Sequence, residues 1–171
     1  DGYLATHSLL AITVALLQAS AIASREPASR PNLLEQITDR LAASRAPSER
    51  GRLIEQWAGL RTSDTLIIVS DPLLRPVMSL LETSLWEASL CPVQTTDFRN
   101  FAHGRHAWLH HRADETVMLA LTGSFSRTTW SAINEVLPSR LRRIKSDYGS
   151  CGRLQNLLGL IDGLSSIEAI G

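Results

Sequence analysis

From Thr65 onward, short apolar runs alternate with segments of helical periodicity, and that alternation admits few folds. Leu66-Ile67-Ile68-Val69, bounded by Asp64 and Ser70, reads as a strand buried on both faces. Pro72 and Pro76 follow, and then Leu74, Val77, Met78, Leu81, Leu85 and Ala88 recur at helical spacing. Val93–Asp97 and Thr116–Thr122 read as further strands, with Arg140–Lys145 a weaker fourth. Helices fit at about Arg105–His111, Arg127–Val136 and Cys151–Ile161. Strands and helices in this order predict an α/β three-layer sandwich, a parallel sheet of four to five strands with helices on both faces.

Residues 1–64 read as an N-terminal helical linker segment and 65–171 as the α/β unit. Gly2 to Ser24 carries no Asp, Glu, Lys or Arg and is long enough to span a bilayer. It also holds His7, Ser8, Thr13, Gln18 and Ser20 and has no positive flank ahead of it, so it reads as a helix buried on most sides in a core or a dimer interface. No membrane partner is expected. Beginning at Asp1 rather than Met, the chain reads as a piece of a longer polypeptide or a matured product. Asn32 is a fitting N-cap for an amphipathic helix to Ala43, and Glu49–Leu60 repeats the helical spacing after Pro47.

Seventeen Lys and Arg balance seventeen Asp and Glu, so no whole-molecule field draws in a nucleic acid. Cys91 and Cys151 follow no metal or redox spacing and read as reduced, buried small hydrophobes, which fits a reducing cytoplasm. His103, His106 and His110 are spaced by three and four, but no carboxylate or Cys is interleaved and Gly104 interrupts a helix there, so no metal is expected. Neither a nucleophile elbow, a Walker loop nor a dinucleotide fingerprint is present, and no cofactor is expected.

In an open parallel sheet, ligands collect beyond the carboxyl ends of the strands, where strand order reverses. The candidate loops are therefore Ser70–Arg75, Asp97–His106, Thr122–Thr129 and Ser146–Gly152. Asp97 to His111 concentrates Arg, Asn, His and Gly just after a strand. Arg99 and Arg105 can grip a phosphate or carboxylate through bidentate hydrogen bonds, or pair with Asp97 or Glu87. In Thr122–Thr129, the backbone amides with Ser124 and Ser126 can cradle a phosphate, although Ser or Thr before a helix is also a plain N-cap. Glu82 is a candidate general base on an otherwise exposed helix face.

Arg99-Asn100-Phe101-Ala102-His103-Gly104-Arg105-His106, with the preceding Leu81–Glu87 helix and with Asp1–Leu10, resembles the SIS (sugar isomerase) domain family. The resemblance is to the second half of the isomerase domain of glutamine:fructose-6-phosphate aminotransferase. It implies a flavodoxin-like sheet, a phosphorylated sugar as ligand, and completion by a first SIS half or a homodimer. Only His103 and Gly104 match that family's His-Gly; Arg105 replaces its Pro, and Asn100 stands where the aminotransferase has its proton-moving Glu. An amide cannot abstract a proton from carbon at neutral pH.

The expectation is therefore sugar-phosphate binding through Arg99, Asn100, His103, Gly104, Arg105, Ser124 and Ser126. An aldose-ketose isomerase using His103 and Glu82 is the alternative, and a non-catalytic SIS half used in assembly is the second.

Overall fold

The structure is a computed structural model that describes residues 11–19 and 31–171. The Asp1–Leu10 segment of the resemblance lies outside the described residues. Four strands form one parallel sheet: β1 (Thr65–Ser70), β2 (Val93–Asp97), β3 (Thr116–Thr122) and β4 (Arg142–Asp147), in the order β2-β1-β3-β4. The helices are α1 (residues 11–19), α2 (Pro31–Arg45), α3 (Pro47–Trp57), α4 (Arg75–Glu87), α5 (Phe98–Ala102), α6 (Leu109–Arg112), α7 (Arg127–Val136) and α8 (Gln155–Ile170). The expected α/β class and parallel sheet are observed.

Alternation along the two central strands divides the core into two layers. Leu66 and Ile68 of β1 join Val117, Leu119 and Leu121 of β3 on one face, packed on Val77, Leu81 and Leu85 of α4 and Leu160 of α8. Ile67, Val69, Met118 and Ala120 face the other way, onto Phe98, Phe101, Leu109 and Trp130. The β-branched run of β1 and the fully buried β3 are what a strand covered on both faces requires.

Trp57 of α3 is buried in the same cluster as Leu66, and Arg142 of β4 donates to Gln56 O at 2.6 Å. Burying Trp57 and Leu53 contributes about 3 kcal/mol or more, against about 1 kcal/mol net for the hydrogen bond, so apolar packing holds α3 in place. Segment 47–57 thus belongs to the core.

Several expected boundaries move. The fourth strand begins at Arg142 rather than Arg140, because Leu141 N donates to Pro138 O in a turn. Gly104, at φ 155°, stops the chain from continuing as a regular helix; Arg105–Trp108 is a 3₁₀ turn and α6 follows it. The last helix begins at Gln155 and runs nine residues past Ile161, its expected end, to Ile170. In α1, Ile12 is 57% and Leu16 65% exposed, so the core of this chain does not cover them; the rest of the expected helix lies outside the described residues. Among the described residues no helix is long and apolar enough to cross a membrane. Both cysteines are free, Cys91 buried and Cys151 half-buried. Burial pushes the Cys91 thiol up.

Candidate functional site

The register aligns Ser70 with Asp97 and Leu121, and Thr122 with Asp147, so the loops after all four strands leave from one edge of the sheet. The chain runs outward from β1 to β2 and then returns past β1 to β3. Strand order therefore reverses between β1 and β3, the place where open parallel sheets collect ligands, and here the loop after Ser70 is bonded to the end of β3, Asp71 N donating to Leu121 O at 2.9 Å.

The loops after Ser70 and Thr122 are tied together through the buried Asp71 side chain. Asp71 is fully buried; its Oδ1 accepts from Leu73 N at 3.0 Å and its Oδ2 from Ser126 Oγ at 2.7 Å. Ser126 Oγ in turn accepts from Gly123 N at 3.0 Å. A Cβ on Gly123 would lie 2.8 Å from Asp71 Oδ2 and 2.9 Å from Gln155 Oε1, so the loop can lie here only with glycine at this position. Ser126 and the Gly123 amide, both able in principle to face a phosphate, are spent on this internal network. Ser124 and Phe125 point outward and are exposed.

At the end of β2, Asp97 caps α5. Its Oδ1 accepts from Asn100 N and its Oδ2 from Asn100 Nδ2, each at 2.7 Å, and Arg75 NH2 lies 3.8 Å from Oδ2. The Asn100 backbone N–H holds the Asp97 carboxyl below its ordinary range; partial burial opposes this, and the Asn100 amide and Arg75 add to it. With Nδ2 donating to Asp97, the amide is oriented and Oδ1 is its acceptor. Arg99 and Asn100 are exposed beside Asp97.

Beyond Asn100 the predicted cluster disperses. His103 N caps α5 on Arg99 O, and the imidazole side of the residue is exposed. Arg105 reaches back along β2, NH1 donating to Thr95 O at 2.8 Å. Trp108 Nε1 donates to Thr116 Oγ1 at the start of β3, so this segment descends toward the opposite edge of the sheet. His106 and His110 border an apolar cavity of about 240 Å³ with Ile133 and Leu137. Among the described residues no three His, Cys, Asp or Glu side chains are grouped to hold a metal. Glu82 lies seven residues into α4, about 10 Å along the helix axis from Arg75.

The structure therefore brings Arg99 and Asn100 to the rim with Arg75, and sets Ser124 on the same edge beyond the intervening β1, about 10 Å away by strand spacing. Sequence reasoning named the loop Ser70–Arg75 without singling out Asp71 or Arg75 in it, and missed Gln155. Asp71 sits in a loop that was a candidate, and an acidic residue directly after a buried strand was the available signal.

No family model matches the chain, and no curated protein matches it in sequence. Among solved structures it is similar to a Bacteroides fragilis protein described as a "putative phosphosugar isomerase involved in capsule formation". The two are 10% identical and superpose with a TM-score of 0.58 over 83% of this chain and 86% of that one. At this identity the likeness establishes a shared fold: helices flanking a parallel sheet.

Proposed function

We propose that the carboxyl rim of the sheet binds a phosphorylated sugar or a related small polar metabolite, and that it does so without moving a proton. The observation that carries the reading is the Asp97–Asn100 pair, which presents a fixed amide acceptor beside Arg75 and Arg99 at the end of a parallel strand. Asn100 Oδ1 accepts a ligand hydroxyl, Arg99 and Arg75 balance the ligand's negative charge, and Ser124 bonds its far end. His103 contacts a hydroxyl or carbonyl from the side. The choice of a phosphosugar follows the fold likeness to the Bacteroides fragilis protein.

Binding is favoured over isomerisation by the carboxylates near the rim. Asp97 is held ionised by Asn100 and Arg75, which makes it a weak base, and Asp71 is buried with both oxygens engaged. Glu82 lies two turns down α4.

Thermal unfolding with a panel of hexose 6-phosphates tests the reading. One member stabilises the chain saturably, by about 2.7 kcal/mol at a hundred times its Kd, and Asn100→Ala and Arg99→Ala remove the effect. Absence of stabilisation across the panel, or the same stabilisation in both variants, overturns it. In deuterated water, no exchange of the C2 hydrogen is expected; such exchange would establish the isomerase instead.

A further inference from the structure

On the other side of the sheet's reversal point, α2, α3, the end of β4 and the middle of α8 enclose a cleft of about 430 Å³, within the size range of small-molecule sites. Its walls are tied together across the chain. Arg40 of α2 donates to Asp162 of α8 through both Nε, at 2.7 Å, and NH2, and Tyr148 Oη donates to Asp162 Oδ2 at 3.0 Å. Arg50 pairs with Glu168 at 2.9 Å and joins α3 to α8 as well. Burial and the neighbouring Asp162 push the Tyr148 phenol up, which keeps it a donor and the junction closed.

The charged side chains that line this cleft are three cations and three carboxylates. Each cation contacts a carboxylate: Arg40 contacts Asp162, Arg52 contacts Glu49, and Lys145 contacts Asp147, the last shared with Arg127 from outside the cleft. A free dianion entering here faces three carboxylates and finds every lining cation already in an ion pair. Between the charges lie five serines. Ser44 Oγ donates to Leu41 O and Ser165 Oγ to Ile161 O, so both offer lone pairs to the cleft. Alternating guanidinium and ammonium donors with carboxylate and hydroxyl acceptors match a ligand whose every hydroxyl both gives and accepts a hydrogen bond. Ala43, Ala46 and Leu53 add apolar surface for C–H faces.

We propose that this cleft is a second binding site, for an uncharged polyhydroxylated ligand of monosaccharide size. It is separate from the Arg75, Arg99 and Asn100 cluster at the end of β2, although the end of β4 that lines it lies on the same edge of the sheet, and neither site needs the other to be occupied.

An amide-resolved NMR titration of the full chain with glucose, N-acetylglucosamine, myo-inositol and inorganic phosphate tests it. At least one uncharged probe shifts the amides of Ser44, Ser48, Lys145 and Ser166 saturably, while phosphate does not. Ser166→Leu and Ser48→Leu, each narrowing the cleft from a different wall, weaken that binding tenfold or more. Saturation by none of the uncharged probes, tighter binding of phosphate at these amides, or unchanged affinity in whichever variant is folded overturns the proposal. A failure at the rim reads out separately, on Arg99, Asn100 and Ser124.

Discussion

Ser126 Oγ donates to Asp71 Oδ2 at 2.7 Å across 55 residues of chain, and this contact joins the loops on either side of the strand reversal. Asp71 is spent on tying these two loops to each other and offers nothing to a ligand's negative charge. The ligand's charge falls instead to Arg75 and Arg99 at the β2 end.

Ser126→Ala removes a buried hydrogen bond from both Asp71 and Gly123 N. Leaving those groups short of a partner costs about 1–3 kcal/mol. Ser124→Ala, at an exposed neighbour in the same loop, changes stability by less than about 0.5 kcal/mol. Urea unfolding of the two variants measures the contrast, and equal effects would contradict the network.

Two glycines of α8 respond to alanine with opposite signs. A Cβ at Gly159 would lie 2.8 Å from Val77 Cγ2, a stiff branched side chain in the α4 contact, whereas at Gly163 the nearest atom is Leu81 Cδ2 at 3.6 Å. Gly163→Ala stabilises by about 0.5–1 kcal/mol through helix propensity. Gly159→Ala loses about 1–3 kcal/mol to overpacking, which exceeds that gain. Denaturation midpoints relative to the parent check both signs.

Acid weakens the fold through Asp147 and Asp97. Burial alone would raise Asp147, but Arg127, the Gly149 N–H and Lys145 outweigh it and hold the carboxyl far below its usual range. Asp97 is lowered as well. For carboxyls depressed in the folded state, the stabilisation is complete above the unfolded value near pH ~4 and is lost as pH falls toward the folded values. The urea midpoint should be flat from pH 7 to about 5 and decline below about 4. Asp147→Asn costs about 1 kcal/mol at neutral pH and shallows that decline; an undiminished acid slope in this variant would contradict the assignment.

Arg99 and Arg105 part company in binding. The Arg105 guanidinium is anchored on Thr95 O at the outer strand, while Arg99 stands beside Asn100 at the rim. Losing a charged hydrogen bond to the ligand costs about 1.5–3 kcal/mol, so Arg99→Ala weakens hexose 6-phosphate binding by about tenfold or more. Arg105→Ala leaves it within about twofold. Calorimetric titration of both variants measures the split, and the reverse order would move the site down the edge of β2.

The central strands were legible because burial on both faces writes a continuous apolar run. Thr116–Thr122 begins and ends where its apolar run does, while the edge strand Val93–Asp97 was read without such a run. β4 was weaker because Ile144 is its one buried residue among Arg142, Arg143 and Lys145. The extent of α8 was obscured by Gly159 and Gly163, which resemble helix breakers in sequence but mark the close approach of α4. For the site, Arg99 and Asn100 were readable from their place after a strand. The dispersal beyond Gly104 was not, since where Arg105 goes is fixed by its bond back to Thr95 O on β2, which the spacing of the residues does not show. Arg40 and Asp162 are 122 residues apart and leave no local signal of their meeting.

Amide-resolved NMR of the full chain, titrated with the hexose 6-phosphate that stabilises it best, tests rim binding most directly. Saturable shifts should centre on Arg75, Arg99, Asn100 and Ser124 and vanish in Asn100→Ala. Shifts confined to His106, His110 and Leu137 at the apolar cavity, or no saturable shift anywhere, would contradict it.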